Sequence, residues 1–209
     1  MLTIRCQKRA SGPADFMAKM SAIFTRGTIT AQNLHYLDPS IALSSARPMG
    51  FSDLTPWIDP EMMVPSLVSE DRMGAIKELV DRLHVTDRVD DRLSFLQAVL
   101  GREELQSTVV EAGVAFPHAR SRSVRRMGAS IGLSRAGINF GTATHPQAVH
   151  LVCLLAVPTY ESENYLPFLA ALSRSFAQPA IRSQLMSCST PEAMFHHVTN
   201  ANHHDGMPA

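Results

Sequence analysis

The 209-residue chain has little of three features that would assign it to a protein class at once. Cysteine is scarce: Cys6, Cys153 and Cys188 are far apart and form no CxxC pair, which indicates neither a disulfide framework nor a zinc site. No charge dominates, because Lys plus Arg and Asp plus Glu both number 19, so nothing points to nucleic acid binding. No apolar run reaches the roughly 18 residues of a membrane span, so we expect no membrane insertion. The few, widely separated cysteines favour a reducing, cytoplasmic location.

The first 48 residues differ from the rest of the chain. They hold six basic residues but only two acidic ones, Asp15 and Asp38, and show little apolar periodicity. We interpret residues 1–48 as a poorly ordered tail, or as a start assigned too far upstream, with Met49 as a plausible true start. We expect one domain over residues 49–200 and a flexible tail over residues 201–209, since the 45% apolar fraction is typical of a globular protein.

Alternating apolar patterns predict an α/β fold. Apolar residues at three- and four-residue steps predict helices over residues 69–84 and 90–101, with Ser69 capping the first and Gly101 ending the second. Residues 148–157 are apolar almost throughout, which is typical of a strand buried on both faces. Since helices alternate with strands, we expect an α/β/α sandwich with a mixed β-sheet flanked by helices. The other expected elements are strands over residues 113–118 and 127–134 and helices over residues 161–178, 179–188 and 190–198.

The segment from Arg102 to His118 contains groups suited to phosphoryl chemistry. Histidine is a competent nucleophile near neutral pH, because its unprotonated ring is well populated there. The Arg102 guanidinium, which we expect just after a helix, would stabilise phosphoryl oxygens through charge-assisted hydrogen bonds. The hydroxyls of Ser107 and Thr108, in a turn-like link, would add donors to phosphate or fix the ring. We expect His118 to close a short strand that Pro117 stops; taken alone, this dipeptide favours a histidine in a turn.

The wider sequence around His118 resembles a known signature. Residues 102–120, REELQSTVVEAGVAFPHAR, resemble the pattern R-E-x-x-x-S-T-G-(I/V)-G-x-G-(I/V)-A-(I/V)-P-H of fructose/mannitol-type (type 2) enzyme IIA domains. These domains belong to the bacterial phosphoenolpyruvate-dependent phosphotransferase system, and nitrogen-regulatory IIA proteins are the most similar subgroup. The resemblance extends over about residues 50–200. The residues that match in register are Arg102, Glu103, Ser107, Thr108, Gly113, Ala115, Pro117 and His118.

This resemblance implies a cytoplasmic phosphocarrier that works without a cofactor or metal. It implies that His118 is the phosphoryl acceptor, that Arg102 stabilises the phosphate, and that an HPr-like phosphocarrier protein is the donor. The next partner would be a IIB domain or, in a nitrogen-type branch, regulated target proteins. The protein would then count as a phosphotransferase component only if His118 is active. A hydrolase or metal enzyme using His118 is a third interpretation, which no spacing supports.

Three positions depart from the family pattern and keep an alternative open. The family often has glycine where this chain has Val109 and Glu111, and a stiffer, negatively charged loop would hinder phosphoryl transfer. Many members carry a second active-site histidine where this chain has Tyr165, which donates one hydrogen bond but is neutral. The alternative is a degenerate regulatory binding module of the same fold, with weak or no phosphotransfer.

The remaining histidines and arginines have plainer interpretations. His145 and His150 flank the turn at Pro146 and lack a third ligand at a suitable spacing for zinc. Two His-His pairs near the C-terminus, at 196–197 and 203–204, favour adventitious metal binding at most. The basic cluster after His118 is equally compatible with a solvated loop and with docking of an acidic partner; it comprises Arg120, Arg122, Arg125 and Arg126.

Overall fold

The computed structural model describes residues 53–110, 113–142, 144–161 and 163–201. The predicted N-terminal tail, the departure at Glu111 and residues 202–209 lie outside these ranges. Among the described residues, no helix is both long enough and apolar enough to cross a membrane.

Within the described ranges, a mixed sheet of six strands forms the centre of the fold, and a mixed sheet was predicted. The strand order is β1-β5-β6-β3-β2, and β4 also pairs with β6. The β5–β6 pairing is antiparallel, while β1 on β5 and both β3 and β4 on β6 are parallel. The strands are β1 (Met63–Val64), β2 (Val109–Val110), β3 (Val114–Ala115), β4 (His118–Ser121), β5 (Gly128–Asn139) and β6 (Ala148–Pro158).

In the part of the chain that the structure describes, five α-helices flank the sheet, which confirms the predicted fold class. A short 3₁₀ helix over Pro60–Met62 precedes β1. The first two helices pack on each other, the first contacting β5 and β6 and the second contacting β4. The helices are α1 (Arg72–Val85), α2 (Arg92–Leu105), α3 (Tyr165–Ala177), α4 (Pro179–Ser187) and α5 (Pro191–Asn200).

The apolar segment around Cys153 forms the central strand β6. Residues from Leu151 to Val157 are all buried, because β5 and the β3–β4 edge flank β6 on both sides within the sheet and helix α1 packs against it. Burial of this run explains why its sequence lacks the alternation of a half-exposed strand. The predicted strand at residues 148–157 is confirmed, and it is buried from Leu151 onwards, whereas Ala148 is exposed and His150 is half-buried.

The edge segment that carries His118 differs from the prediction. Pro117 does not end the edge; it separates two short strands, β3 and β4, that pair with consecutive parts of β6. Proline has no N–H to donate to a ladder, but its carbonyl accepts a hydrogen bond of 2.9 Å from the Leu155 backbone N–H. The chain therefore resumes pairing, and His118 begins β4 instead of closing a strand.

Helix boundaries were predicted wrongly at two positions. Asp71, not Ser69, caps α1, since its carboxylate accepts the Gly74 N–H at 2.8 Å; the Ser69 hydroxyl donates to Glu78 instead. Helix α2 does not end at Gly101 but continues to Leu105. Phe95, Val99 and Glu103 lie one turn apart and are all buried, so packing of this face outweighs the glycine penalty of about 1 kcal/mol.

Candidate active site

The backbone fixes His118 at the start of the edge strand. His118 pairs in register with Leu155 of the central strand, and the preceding Pro117 carbonyl is bonded to the Leu155 N–H. The His118 side chain is 8% exposed, so most of its imidazole is shielded from water. This placement gives the ring a defined position with only a small accessible edge.

One hydrogen bond sets the tautomer of the His118 ring. Its Nδ1 lies 2.9 Å from the carbonyl oxygen of Phe116, which can only accept, so Nδ1 carries the proton and donates. In the neutral ring this leaves the lone pair on Nε2. The ring thus presents Nε2 as its nucleophilic atom.

The surroundings of His118 keep the ring neutral. Burial lowers the pKa of the imidazole from its ordinary 6.5 to about 4, the hydrogen bond to Phe116 partly opposes this, and the positive charge of Arg102 adds to the lowering. At neutral pH almost every His118 ring is therefore unprotonated and has a lone pair available for attack.

Arg102 approaches His118 from helix α2. It lies in the last turn of this helix, whereas the sequence pattern predicts a position just after the helix. Helix α2 packs against β4. Its Nη1 donates a hydrogen bond of 3.0 Å to the Gln106 carbonyl, which restrains the guanidinium at the helix C-terminus. Its charge lowers the pKa of both His118 and Tyr165. The predicted arginine and histidine are thus brought together.

Tyr165 and Arg120 complete the cluster. Tyr165 is the first residue of α3, and burial raises the pKa of its phenol, against the opposing charges of Arg120 and Arg102, so the phenol stays protonated at neutral pH. The Arg120 guanidinium carbon lies 5.0 Å from the centroid of the Tyr165 ring, a cation–π contact. Packing of the Phe116 and Phe176 rings, with centroids 5.8 Å apart, joins helix α3 to the segment just before His118.

The described side-chain contact of Thr108 is with Glu103, not with the imidazole of His118. Its backbone N–H and its hydroxyl both donate to the carboxylate of Glu103, at 3.0 and 2.6 Å, and both residues are buried. Ser107 is half-buried, and its hydroxyl lies 3.5 Å from the side-chain oxygen of Gln147. The described contacts of these two hydroxyls thus tie down the backbone between α2 and β2.

Hydrogen bonds connect helix α2 to His118 through this segment. Glu103 holds Thr108, the Thr108 carbonyl accepts the Phe116 N–H at 3.1 Å, and the Phe116 carbonyl accepts the His118 Nδ1–H. Because Arg102 precedes Glu103 in the same helical turn, this series of bonds fixes the spacing between guanidinium and imidazole. Glu103 is thereby assigned a positioning role.

Valine at position 109 fits the backbone that the structure adopts. Val109 belongs to β2 and pairs with Ala115 of β3 in an extended conformation that any residue accepts. The positive φ of 72° falls instead on Gly113, where glycine is present. The departure at position 109 is therefore accommodated without strain.

Sequence reasoning missed Glu103 and Arg120 as site residues. Glu103 lies four residues after Val99 and eight after Phe95, on the same apolar face of the helix. This spacing would have indicated a buried carboxylate that needs hydrogen-bond partners. Arg120 was missed because the predicted strand ends at Pro117 and leaves Arg120 in a loop. In the structure, His118 and Arg120 are two residues apart in one strand, so their side chains lie on the same face of the sheet.

The other basic and imidazole groups have separate surroundings. Arg125 forms ion pairs with Asp87 at 3.3 Å and Asp90 at 2.7 Å, so the basic cluster divides between this loop contact and the Tyr165 contact of Arg120. The His150 ring contacts the Ser134 carbonyl at 3.0 Å. Within the described ranges, no three histidine, cysteine or acidic side chains lie together as a metal site.

The arrangement can form and stabilise a bond between nitrogen and phosphorus. A neutral imidazole whose lone pair is on Nε2 is a nucleophile, and adjacent guanidinium groups offset the negative charge on phosphoryl oxygens. Phosphoryl transfer depends mainly on such positioning and electrostatics.

Comparison with known proteins decides the family. The family model described as "Phosphoenolpyruvate-dependent sugar phosphotransferase system, EIIA 2" matches residues 57–201. The chain belongs to this family. This EIIA 2 member is 33% identical, over 121 residues, to the fructose-specific EIIA component of Haloferax volcanii; the match covers 58% of this chain and 78% of that protein.

Two further similarities place the EIIA 2 domain among longer and stand-alone proteins. It is 29% identical over 140 residues to the fructose-specific EIIABC component of Bacillus subtilis, 67% of this chain but only 21% of that protein. The fold resembles the nitrogen regulatory protein IIA-Ntr of Neisseria meningitidis, with a TM-score of 0.60, 24% identity, and coverage of 67% of this chain and 94% of that chain.

Proposed function

We propose that this EIIA 2 protein is a phosphocarrier that accepts a phosphoryl group on Nε2 of His118. The observation that carries the proposal is the hydrogen bond from Nδ1 to the Phe116 carbonyl, together with the burial that keeps the ring neutral. These two features leave one nitrogen lone pair for attack at physiological pH. Arg102 would stabilise the phosphoryl oxygens during transfer and in the phosphorylated protein.

The transfer step exchanges one nitrogen–phosphorus bond for another. The Nε2 lone pair of His118 forms the new bond to phosphorus, while the bond to the donor nitrogen breaks and its electron pair returns to the donor imidazole. The Nδ1 proton stays on His118 and remains hydrogen-bonded to the Phe116 carbonyl. This carbonyl dipole offsets the positive charge that develops on the ring. No additional reactant is needed for this exchange.

The donor in this proposal is an HPr-like phosphocarrier protein, and the reaction takes place in the cytoplasm. The onward partner is a IIB domain or a regulated target protein. The name of the Bacillus subtilis relative, EIIABC, joins IIA with IIB and IIC parts, which favours a IIB partner. The similarity to a nitrogen regulatory protein favours the regulatory branch.

One observation favours a second candidate function, a regulatory binding module with weak phosphotransfer. Tyr165, at the position of the family's second histidine, is buried and stays neutral, so it supplies no positive charge to the phosphoryl group. The same fold would then act through its surface, independently of phosphorylation.

Reconstitution of the donor proteins separates the two candidates. The protein is incubated with phosphoenolpyruvate, enzyme I and HPr, and intact mass spectrometry detects an added phosphoryl group that is labile in acid and stable in alkali. We expect one adduct on the wild type and on the His145→Ala control, which removes an exposed histidine of the loop before β6, and none on His118→Ala. No adduct on the wild type at saturating donor would rule out the phosphocarrier function.

A further inference from the structure

Two guanidinium groups converge on the phenol beside His118. The Arg120 guanidinium carbon, on β4, lies 5.0 Å from the centroid of the Tyr165 ring, and Arg102 lies in the last turn of α2, which packs against β4. Both positive charges act on the phenol. Arg102 also acts on the His118 imidazole. Two cations, one imidazole and one neutral phenol therefore form a single cluster at this edge of the sheet.

Strand geometry places Arg120 beside the nucleophile. His118 and Arg120 are the first and third residues of β4, so their side chains leave the same face of the sheet, with their Cα atoms about 7 Å apart. His118 is buried whereas Arg120 is exposed. The guanidinium thus lies on the solvent side of the imidazole, where a phosphoryl group must enter.

The contact with Tyr165 orients the Arg120 guanidinium without using up its donors. A cation–π contact places the cation over the face of the aromatic ring and pairs none of the guanidinium N–H groups with an acceptor oxygen. Across the described part of the chain, the ion pairs of this basic cluster are those of Arg125 with Asp87 and Asp90, and none includes Arg120. The charge of Arg120 is therefore not offset there by a carboxylate.

We propose that Arg120 is a second phosphate-binding residue, which acts with Arg102 on the phosphoryl group at Nε2 of His118 and is held in place by the ring of Tyr165. The inference rests on the proposed function, because it names a further group that touches the transferred phosphoryl group. Guanidinium donors match phosphoryl oxygens in charge and geometry. In this arrangement Tyr165 supplies the support and Arg120 supplies the charge.

A small phosphoryl donor distinguishes this role from docking of an acidic donor protein. Phosphoramidate transfers its phosphoryl group to an imidazole with loss of ammonia and needs no protein–protein contact. The full chain is compared with Arg120→Gln, Arg120→Lys and the control Arg122→Gln, which removes the same charge from the exposed turn after β4. We expect Arg120→Gln to lower the initial rate about tenfold, Arg120→Lys to recover part of it, and the control to change it less than about twofold.

Two outcomes with phosphoramidate would overturn the inference and leave the proposed function intact. The first is equal rates for Arg120→Gln and Arg122→Gln. The second is slowing of Arg120→Gln only with phosphorylated HPr as donor, which would make Arg120 a docking residue. Unchanged urea midpoints and an unchanged His118 ring signal in NMR spectra establish that the variants keep the fold and the nucleophile.

Binding of inorganic phosphate tests the same role without any transfer step. In NMR titrations of the unphosphorylated protein, phosphate is expected to shift the His118 ring and Arg120 Nε–H signals, with a dissociation constant raised at least about fivefold by Arg120→Gln. If the wild type accepts no phosphoryl group from any donor, the proposed function fails and this titration decides the inference alone. A dissociation constant that is the same in Arg120→Gln and Arg122→Gln would then contradict it.

Discussion

The behaviour of the His118 ring follows from its burial and one carbonyl. Burial disfavours the charged imidazolium, and the Phe116 carbonyl fixes the proton on Nδ1. The sequence signature identified this histidine as special, but not its protonation or its tautomer. Those depend on the break between β3 and β4, which turns the Phe116 carbonyl back towards the ring two residues later.

The shifted pKa of His118 makes stability depend on pH in a defined window. The unfolded ring titrates near 6.5 and the folded ring near 4, so between these values the unfolded state binds more protons. The free energy of unfolding is therefore expected to fall as the pH decreases from about 6.5 to about 4, by roughly 3 kcal/mol from this group. Urea unfolding at pH 7.5, 6, 5 and 4 measures the loss.

The matched variant for this pH effect is His118→Gln, which does not titrate. Its unfolding free energy is expected to lack this part of the pH dependence, although other groups contribute equally in both proteins. Ring NMR signals of the wild type give the midpoint directly. A His118 midpoint near 6.5 would contradict the neutral, desolvated ring described above.

At the scale of elements, the hydrogen bonds between Glu103 and Thr108 join helix α2 to the edge strands. Thr108→Val keeps the volume but removes the hydroxyl, so one oxygen of the buried carboxylate loses its donor. We expect this change to lower the free energy of unfolding by about 1.5–3 kcal/mol and to slow phosphoryl acceptance. Urea unfolding and the initial rate with phosphoramidate measure the two effects.

Thr108→Ser is the control for that link, since it keeps the hydroxyl and loses one methyl group. It is expected to cost about 1 kcal/mol of stability and to leave the phosphorylation rate close to that of the wild type. Equal rates for the valine and serine variants would show that the link supports the fold without positioning the site.

Two glycines are expected to respond in opposite directions to substitution by alanine. Gly101 lies within α2, and a Cβ there would meet nothing within 4 Å, so Gly101→Ala should stabilise by about 0.5–1 kcal/mol. Gly113 has a φ of 72°, and a Cβ there would lie 3.2 Å from His150 Cδ2, so Gly113→Ala should destabilise. Urea midpoints compare the two; stabilisation by Gly113→Ala would contradict the backbone described.

Helices and strands could be predicted where one local sequence pattern dominates. They could not be predicted where contacts between residues distant in the sequence outweigh the local pattern. Strand β6 follows from its apolar run, and Thr190 caps α5 with Pro191 in the first turn, as predicted. The continuation of α2 past Gly101 depends on burial of Glu103 against a loop that the sequence pattern does not locate. Arg120 likewise became a site residue only when β4 was seen to resume after Pro117.

At the scale of the whole molecule, one hydrophobic core runs through the described part of the chain. Fully or almost fully buried apolar residues extend from Leu54 to Ala201, and the EIIA 2 family match spans residues 57–201. We propose that residues 49–200 fold as one independent domain. A chain that starts at Met49 is expected to unfold at the same urea midpoint as the full chain and to be phosphorylated at the same rate. A markedly lower midpoint would contradict this boundary.

The phosphocarrier function proposed here depends on which atom of which residue receives the phosphoryl group. The ¹⁵N-labelled protein is phosphorylated by phosphoenolpyruvate, enzyme I and HPr, and NMR correlation of ³¹P with ¹⁵N identifies the bonded nitrogen. We expect a bond from phosphorus to Nε2 of His118, because Nδ1 donates its proton to the Phe116 carbonyl in a hydrogen bond. Phosphorus bonded to Nδ1, or to any other residue, would contradict it.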